Sequence, residues 1–384
     1  MPEFDPRSYA YPSRRNVVYA RKAMACTSIP QGAQIGLDVM KAGGNAVDAA
    51  VAMAAAMPLL EPTSNGLGSD CFALVWVEAE KKLYGLNASG VAPAALSAAL
   101  VRELGHQTMP QAGWIPTMVP GAPAGWAELN RRFGTKPLPQ LFAPAISAAR
   151  EGVPVQVNLE PMWEEDARRI AATLDRSSAA SDVYKRQIVA FSRATGGYFC
   201  EDDFRNYKPE WVEPISTDYK GYTVCEIPPN GHGITVLMAL NLLKGLKLSD
   251  QKDCADTYHK ILESIKLAFA DTRTYVADPR YMRTRVEDLL SEEYAARRRA
   301  LISEQALTPE AGDPSCGGTI YLCTADPQGN MVSFIQSNYT TFGAGVAIPG
   351  TGISLQNRGA NFSLDEGSDN CLAGGKRSYH TIIP

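Results

Sequence analysis

Histidine is scarce in this chain, four residues in 384, and none of His106, His232, His259 and His380 stands at a metal-ligand spacing. The eight cysteines are scattered, with no Cys-x-x-Cys pair. A zinc site and a disulfide framework are both disfavoured, and reduced thiols in a cytoplasmic protein are expected. No long basic run accompanies the net charge of −4, which argues against a nucleic-acid partner. No stretch is long and apolar enough to span a bilayer, so no membrane partner is expected. The richest apolar stretch, Ala46 to Leu60, is alanine-heavy and carries Asp48, as a buried helix would. Met1 to Arg15 is polar and lacks the apolar centre of a secretory signal. No repeat of constant period is visible, which disfavours solenoids and propellers. What is present, 45% hydrophobic and 20% charged residues, suits a large folded core and small-molecule chemistry without metal or cofactor.

Local patterns place the elements. Ala33 to Lys41 has helical periodicity and ends at Gly43-Gly44. Asn45 is a natural N-cap for a helix over Ala46 to Met57, with Asp48 at N3. A turn-rich loop, Pro62 to Asp70, leads to a strand pair at Phe72 to Val77 and Lys82 to Leu86. Ala94 to Arg150 reads as helical, broken by prolines at 116, 120 and 123, with Ala143 to Glu151 its clearest helix. Leu159 to Leu174 reads as an amphipathic surface helix. Arg176 to Gln187 is small and polar without period, an exposed loop or a scar of sequence assembly. Asp218 to Ile227 reads as a strand, and Ile234 to Leu246 and Tyr258 to Ala270 as helices. Strands at Thr319 to Thr324 and Met331 to Asn338, joined by an Asp326 to Asn330 loop, are followed by a glycine-rich stretch and a strand at Ile353 to Leu355. Together these patterns suit layers of sheet covered by helices, an α+β fold.

The local feature with most chemical content is Cys316-Gly317-Gly318-Thr319 before a strand. Two glycines permit the backbone strain that exposes a peptide carbonyl to the next hydroxyl. Cleavage there would leave Thr319 with a free α-amine able to act as base for its own hydroxyl. The same residues also fit a flexible loop entering a hairpin. Asn65 to Asp70 has neither the dinucleotide fingerprint nor a Walker lysine, and a packing or pocket-wall role suits it better. Ser69 lacks the Gly-x-Ser-x-Gly elbow. His232 either faces a cleft or caps the helix that follows, and Cys316 is a thiol with no base that can be named for it.

Taken in order, longer blocks carry a resemblance. Lys41 to Ala50 (KAGGNAVDAA), Glu61 to Asp70 (EPTSNGLGSD), Val119 to Pro123, Tyr219 to Gly233, Ala268 to Arg273 and Gly318 to Phe342 are similar to successive blocks of the γ-glutamyltransferase (glutathione hydrolase) family. Only Met1 to Arg15 and Arg176 to Gln187 fall outside. The Gly-Val-Ala-Pro, Ser-Asn-Tyr and Pro-Gly-Thr-Gly-Ile runs look more like its cytoplasmic branch, whose relatives include acylases.

The resemblance implies a four-layer αββα sandwich of the N-terminal-nucleophile hydrolase type. It implies self-cleavage into a large-subunit region, 1–318, and the start of a small-subunit region, 319–384. Thr319 would be the nucleophile, acting on glutathione, γ-glutamyl or related amides through an acyl-enzyme, with Ser337 supporting it. Tyr339, Asn361, His380 and Thr381 fall at substrate-binding positions, and Arg358 lies near enough to supply a cation. Two departures bear on specificity. The loop Asn87 to Pro93 lacks the arginine that holds the donor carboxylate in γ-glutamyl-specific members, and Asn361 replaces an aspartate that receives the ammonium. Charge-assisted bonds of this kind are worth ~1.5–3 kcal/mol each. An acylase acting on an amide without an amino-acid head is therefore an alternative, as is a non-catalytic relative. No glycine pair matching the family's oxyanion hole follows Thr319, since Gly374-Gly375 comes too early. The sandwich is accordingly expected to be C-terminally incomplete.

Overall fold

The computed structural model describes residues 18–155, 159, 184–251, 253–308 and 318–382. The expected helix over Leu159 to Leu174, save Leu159, lies outside these residues, as do Cys316 and Gly317. Residues 176–183 lie outside as well. Tyr184 opens a helix, Tyr184–Ala194, so the last four residues of the segment read as aperiodic are the first turn of a helix. That helix buries Ile188 and Val189 against Phe199 and Phe204, a contact distant in sequence that local composition does not announce.

Six strands form one antiparallel sheet: β1 (Met24–Thr27), β2 (Asp70–Val77), β3 (Lys82–Ala88), β4 (Glu210–Val212) and, numbered after a separate hairpin of β5 (Ile215–Tyr219) and β6 (Tyr222–Glu226), β7 (Gly318–Ala325) and β8 (Met331–Tyr339). Their spatial order is β1-β7-β8-β2-β3-β4, so the strands after Gly318 lie between strands from the first part of the chain. Period-two alternation sorts the side chains. Cys71, Ala73, Val75, Ile320, Leu322, Val332 and Phe334 face one core. Phe72, Leu74 and Ile335 face the other way, onto Ile227 and Ile382. Thr319, one residue before Ile320, and Ser337, two after Ile335, lie on this second face.

The first face is covered by helices. Besides α1 (Pro30–Lys41) and α2 (Ala46–Leu60), the chain forms α3 (Ala98–Glu103), α4 (Ala122–Phe133) and α5 (Leu138–Glu151). The long helical stretch expected over Ala94 to Arg150 is thus three helices, with prolines at the N-terminal turns of α4 and α5, where no amide donor is required. Helix α2 is apolar all round and almost wholly buried, as a helix between layers must be. Its alanines and the glycines of α1 allow close approach: a Cβ at Gly36 would lie 2.4 Å from the Met53 sulfur. The polar side chain of Gln336 enters this core, and its amide is matched by Ala54 O, Asn65 Oδ1 and the Trp126 indole N–H.

The N-terminus of α2 is tied to the hairpin that carries Thr319. Asn45 and Asp48 form a reciprocal capping box. Asp48 also accepts from the Thr135 and Lys136 amides at 3.0 and 3.2 Å. Asp326, in the β7–β8 turn, accepts from the Ala46 amide at 3.0 Å with one oxygen and from the Gln328 and Asn330 amides at 3.0 Å with the other.

The expected strand over Asp218 to Ile227 is instead the hairpin β5 (Ile215–Tyr219) and β6 (Tyr222–Glu226). Lys220 and Gly221 both adopt positive φ, 49° and 85°, which turns the chain in two residues. Beyond it, helices Gly233–Lys244 and Ala255–Tyr275 pack together around Ile234, Met238 and Ala268. A second ribbon, β9 (Ala347–Ile348) with β10 (Ile353–Ser354), follows the glycine-rich stretch. Ser354 brings its carbonyl onto Gly68, where a Cβ would lie 2.0 Å away. Gly68 of the Asn65 to Asp70 loop therefore serves close backbone approach, the packing role expected of the loop.

Asp48 is fully buried and holds several amides at once. Asp48→Ala is expected to lower stability by about 3 kcal/mol or more, since a cap and charge-assisted bonds disappear together and leave buried donors unmatched. Urea unfolding of the two proteins measures this directly.

Candidate active site

Thr319 opens the regular part of β7, and its Cα partner across the hairpin is Ser337. The register slips between Gly318 and Thr319, since Gly318 pairs with Tyr339 and leaves Asn338 as the extra residue. The Thr319 hydroxyl donates to Ser337 Oγ at 3.1 Å. Ser337 Oγ also accepts from the Tyr339 amide at 2.8 Å, which orients it. The Asn338 side chain serves the wall: its Oδ1 accepts from Ser69 Oγ at 2.8 Å, and Ser69 in turn accepts from the Gly66 amide. Ser69 is thereby engaged structurally.

Ser337 continues the ladder to Asp70, its Cα partner on β2. Asp70 has no solvent exposure, and its Oδ2 lies 2.6 Å from His380 Nε2 and 4.0 Å from Arg358 Nε. The other His380 ring nitrogen accepts from the Ile382 amide at 3.4 Å, so Nε2 carries the proton and donates to Asp70. Burial, reinforced by Arg358, pulls the His380 pKa down to about 4 against the opposing pull of Asp70. The ring is neutral at pH 7. For Asp70, burial works against the charge, yet His380 and Arg358 together hold its pKa below the usual value. His380 is a buried strut whose two nitrogens are both engaged.

Arg358 is 1% exposed and begins a 3-10 turn, Arg358–Asn361. Its Nη1 donates to Thr381 Oγ1 at 2.7 Å, and its guanidinium lies 4.5 Å from the centre of the Tyr339 ring. Tyr339 holds a positive φ of 79°, rare for a residue with a Cβ and of the kind found at functional sites. The site residues read from the sequence thus form a connected set running from Thr319 through Ser337 and Tyr339 to Arg358 and Thr381, with His380 joined through Asp70. Asn361 ends the same turn as Arg358. His232 N-caps the helix Gly233–Lys244 without a side-chain cap bond, and its Nδ1 contacts the His380 carbonyl at 2.9 Å. Burial lowers its pKa to about 4.

Sequence reasoning passed over Asp70. Its signal was the acidic residue closing the Glu61 to Asp70 block at the mouth of a strand. The loop over Asn87 to Pro93 is tied by Asn87, whose Oδ1 accepts from the Ser89 hydroxyl and whose Nδ2 donates to Asn230. A cation does approach this loop from elsewhere: Arg377 donates to Ser89 O at 3.4 Å. That guanidinium is also bound to Glu210 at 2.8 Å. Gly374-Gly375 packs on the same region, where the Gly375 amide donates to Ala92 O at 2.9 Å.

Residues 32–186 and 185–384 match the gamma-glutamyltranspeptidase family, with the two stretches meeting inside the segment read as aperiodic. The chain belongs to the gamma-glutamyltranspeptidase family. Family members are processed into large and small subunits and act on amides. The chain is 31% identical to the glutathione hydrolase-like YwrD proenzyme of Bacillus subtilis, over 96% of this chain and 76% of that protein. It is 30% identical to the acylase ACY 1 proenzyme of a Pseudomonas strain, over 99% of this chain and 76% of that protein. Cephalosporin acylase from Bacillus halodurans superposes with a TM-score of 0.89 at 50% identity, covering 99% of this chain and 77% of that one. The fold is that of the family's N-terminal-nucleophile hydrolases.

Glu226, at the end of β6, is 7% exposed with Oε2 unpartnered, and burial raises its pKa from 4.5 to about 7. Because the folded state holds this proton more tightly, the contribution is fully present below pH 4.5 and is lost as pH rises through about 7. Glu226→Gln is therefore expected to gain stability relative to the parent as pH rises across that window, by about 3 kcal/mol at most. Thermal melts of both proteins at stepped pH provide the measurement, and a constant difference would contradict the assignment.

Proposed function

We propose that the chain is a precursor that cuts itself between Gly318 and Thr319 and then works as an N-terminal-threonine amidohydrolase or acyltransferase. The observation that carries this reading is the Thr319 hydroxyl held on Ser337 at 3.1 Å, at a register slip beside Gly318. Both curated relatives cited above are named proenzymes, which supports a cut.

In the cleavage step Thr319 Oγ attacks the Gly318 carbonyl, the C–N bond breaks as the ester forms, and water hydrolyses the ester. The products are a carboxylate on Gly318 and a free amine on Thr319. That amine then takes the hydroxyl proton as Thr319 Oγ attacks a substrate amide. The leaving amine departs with the proton, and water or an acceptor amine resolves the acyl-enzyme. Ser337 Oγ accepts the threonine proton in the resting state. Its own hydrogen can rotate toward the oxygen as charge develops there.

The substrates in this reading are γ-glutamyl amides such as glutathione, or related small amides. The names of the relatives, a glutathione hydrolase-like enzyme and acylases, support both. Asn361 in place of a carboxylate and a loop at 87–93 without arginine favour the second group. Tyr339, Arg358, Asn361 and Thr381 would line the acyl side, with His380 and Asp70 bracing them. A cytoplasmic location is part of the proposal: the described cysteines are free thiols, including Cys26 and Cys323, which stand opposite each other on β1 and β7.

Intact-mass analysis tests the reading. The parent protein is expected to yield two fragments, 1–318 and 319–384, and Thr319→Ala a single uncut chain; a parent that stays whole would refute the proposal. Ser337→Ala is expected to slow amide hydrolysis by about tenfold, the worth of one hydrogen bond near 1.4 kcal/mol. Ser337→Thr, which keeps the hydroxyl, should restore most of that rate.

A further inference from the structure

Two thiols face each other across the divide that the proposed cut would make. In the ladder between β1 and β7, Cys26 is the Cα partner of Cys323. Strand β1 lies in the region before Gly318 and β7 runs on from Thr319, so each thiol would belong to a different fragment. Ala25 and Leu322 face the helical core. Period-two alternation therefore turns Cys26 and Cys323 together onto the opposite face, the one that carries Thr319. Directly opposed residues of an antiparallel pair have Cα atoms about 4.5–5.5 Å apart. That lies inside the ~4.4–6.8 Å a disulfide spans without backbone movement. The two thiols are already close enough to hydrogen-bond each other. Among the described cysteines no other two are opposed on neighbouring strands.

Access to the two differs. Cys26 is exposed and Cys323 is partly buried. Burial, and then the Cys26 thiol beside it, push the Cys323 thiol up. An oxidant from solvent thus meets Cys26 first, with Cys323 in place to resolve the product. Strand β1 has four residues and, in the sheet, pairs with β7 alone among the described strands. Such an edge is where local opening is easiest, and a covalent bond across it would hold it shut.

We propose that Cys26 and Cys323 are a redox pair, oxidised by a small disulfide such as glutathione disulfide to a cross-strand bond that joins fragments 1–318 and 319–384. The Cys26 thiolate attacks one sulfur of the small disulfide, forming a mixed disulfide and expelling one thiolate. Cys323 then attacks Cys26 Sγ, the protein disulfide forms, and a second thiolate leaves. The two cysteine protons end on the two released thiols, and the two electrons reduce the small disulfide. In a reducing compartment both cysteines remain thiols, so the link is conditional. Its role as a tether rests on the reading of Thr319 as the start of a fragment; the disulfide itself does not.

The test oxidises the self-cleaved full chain with glutathione disulfide under native conditions and blocks the remaining thiols with N-ethylmaleimide. A non-reducing gel is expected to show one band containing both fragments, which dithiothreitol splits into 1–318 and 319–384. Peptide mapping should find Cys26 joined to Cys323. Cys26→Ser and Cys323→Ser should each abolish the link, with Cys26→Ser keeping the cut and amide hydrolysis. Unfolding of the reduced protein releases two fragments, so its urea midpoint should rise with protein concentration, whereas that of the oxidised protein should stay fixed. Thr319→Ala should yield the same joined peptide, so a failure to cut and a failure to cross-link are read separately. Absence of that peptide from both proteins would overturn the proposal, as would a glutathione adduct that stops at Cys26 or a link made through Cys316 instead. An oxidised midpoint that still climbs with concentration would overturn the tether.

Discussion

The site depends on one constraint, the antiparallel register that runs from β7 through β8 to β2. It sets Thr319 against Ser337 and Ser337 against Asp70. Because side chains alternate with a period of two, a slip by one residue would send all three into the alanine-rich helical core. That core resists the slip: Ile320, Leu322 and Phe334 must remain against α2, and Gln336 must remain between Ala54, Asn65 and Trp126. The hydrophobic layer thus fixes the position of polar groups that it never touches.

The far end of the hairpin is held as firmly. Asp326 grips its own turn with one carboxylate oxygen and the first amide of α2 with the other. The helix and the strand that begins beside Thr319 are therefore held together. This also makes the two regions on either side of Gly318 structurally inseparable. Strands β7 and β8 lie between β1 and β2, so a cut before Thr319 would free a terminus without removing any strand from the sheet.

On the polar face, charge is balanced locally rather than by solvent. Asp70, Arg358 and neutral His380 are buried together, an arrangement stable only when each partner remains. Both partners keep open atoms, Oδ1 of Asp70 and Nε and Nη2 of Arg358.

Much of this was legible in the residues. The capping box at Asn45 and Asp48, the β7–β8 hairpin with its Asp326 turn, and the wall role of Asn65 to Asp70 follow from short-range rules, which act over three or four residues. The hairpin inside Asp218 to Ile227 was missed because Lys220-Gly221 resembles a strand interior unless its positive φ values are known. Asp70, His380 and Arg358 come from strand, tail and turn, and nothing local joins them; His380 looked like a substrate contact until both of its nitrogens were seen engaged. The sequence by itself determined the family and the residues that neighbour Thr319 along its strand. Only the tertiary structure decided which side chains share one buried space, because charge pairing and desolvation depend on contacts between residues as far as 310 positions apart, as between Asp70 and His380.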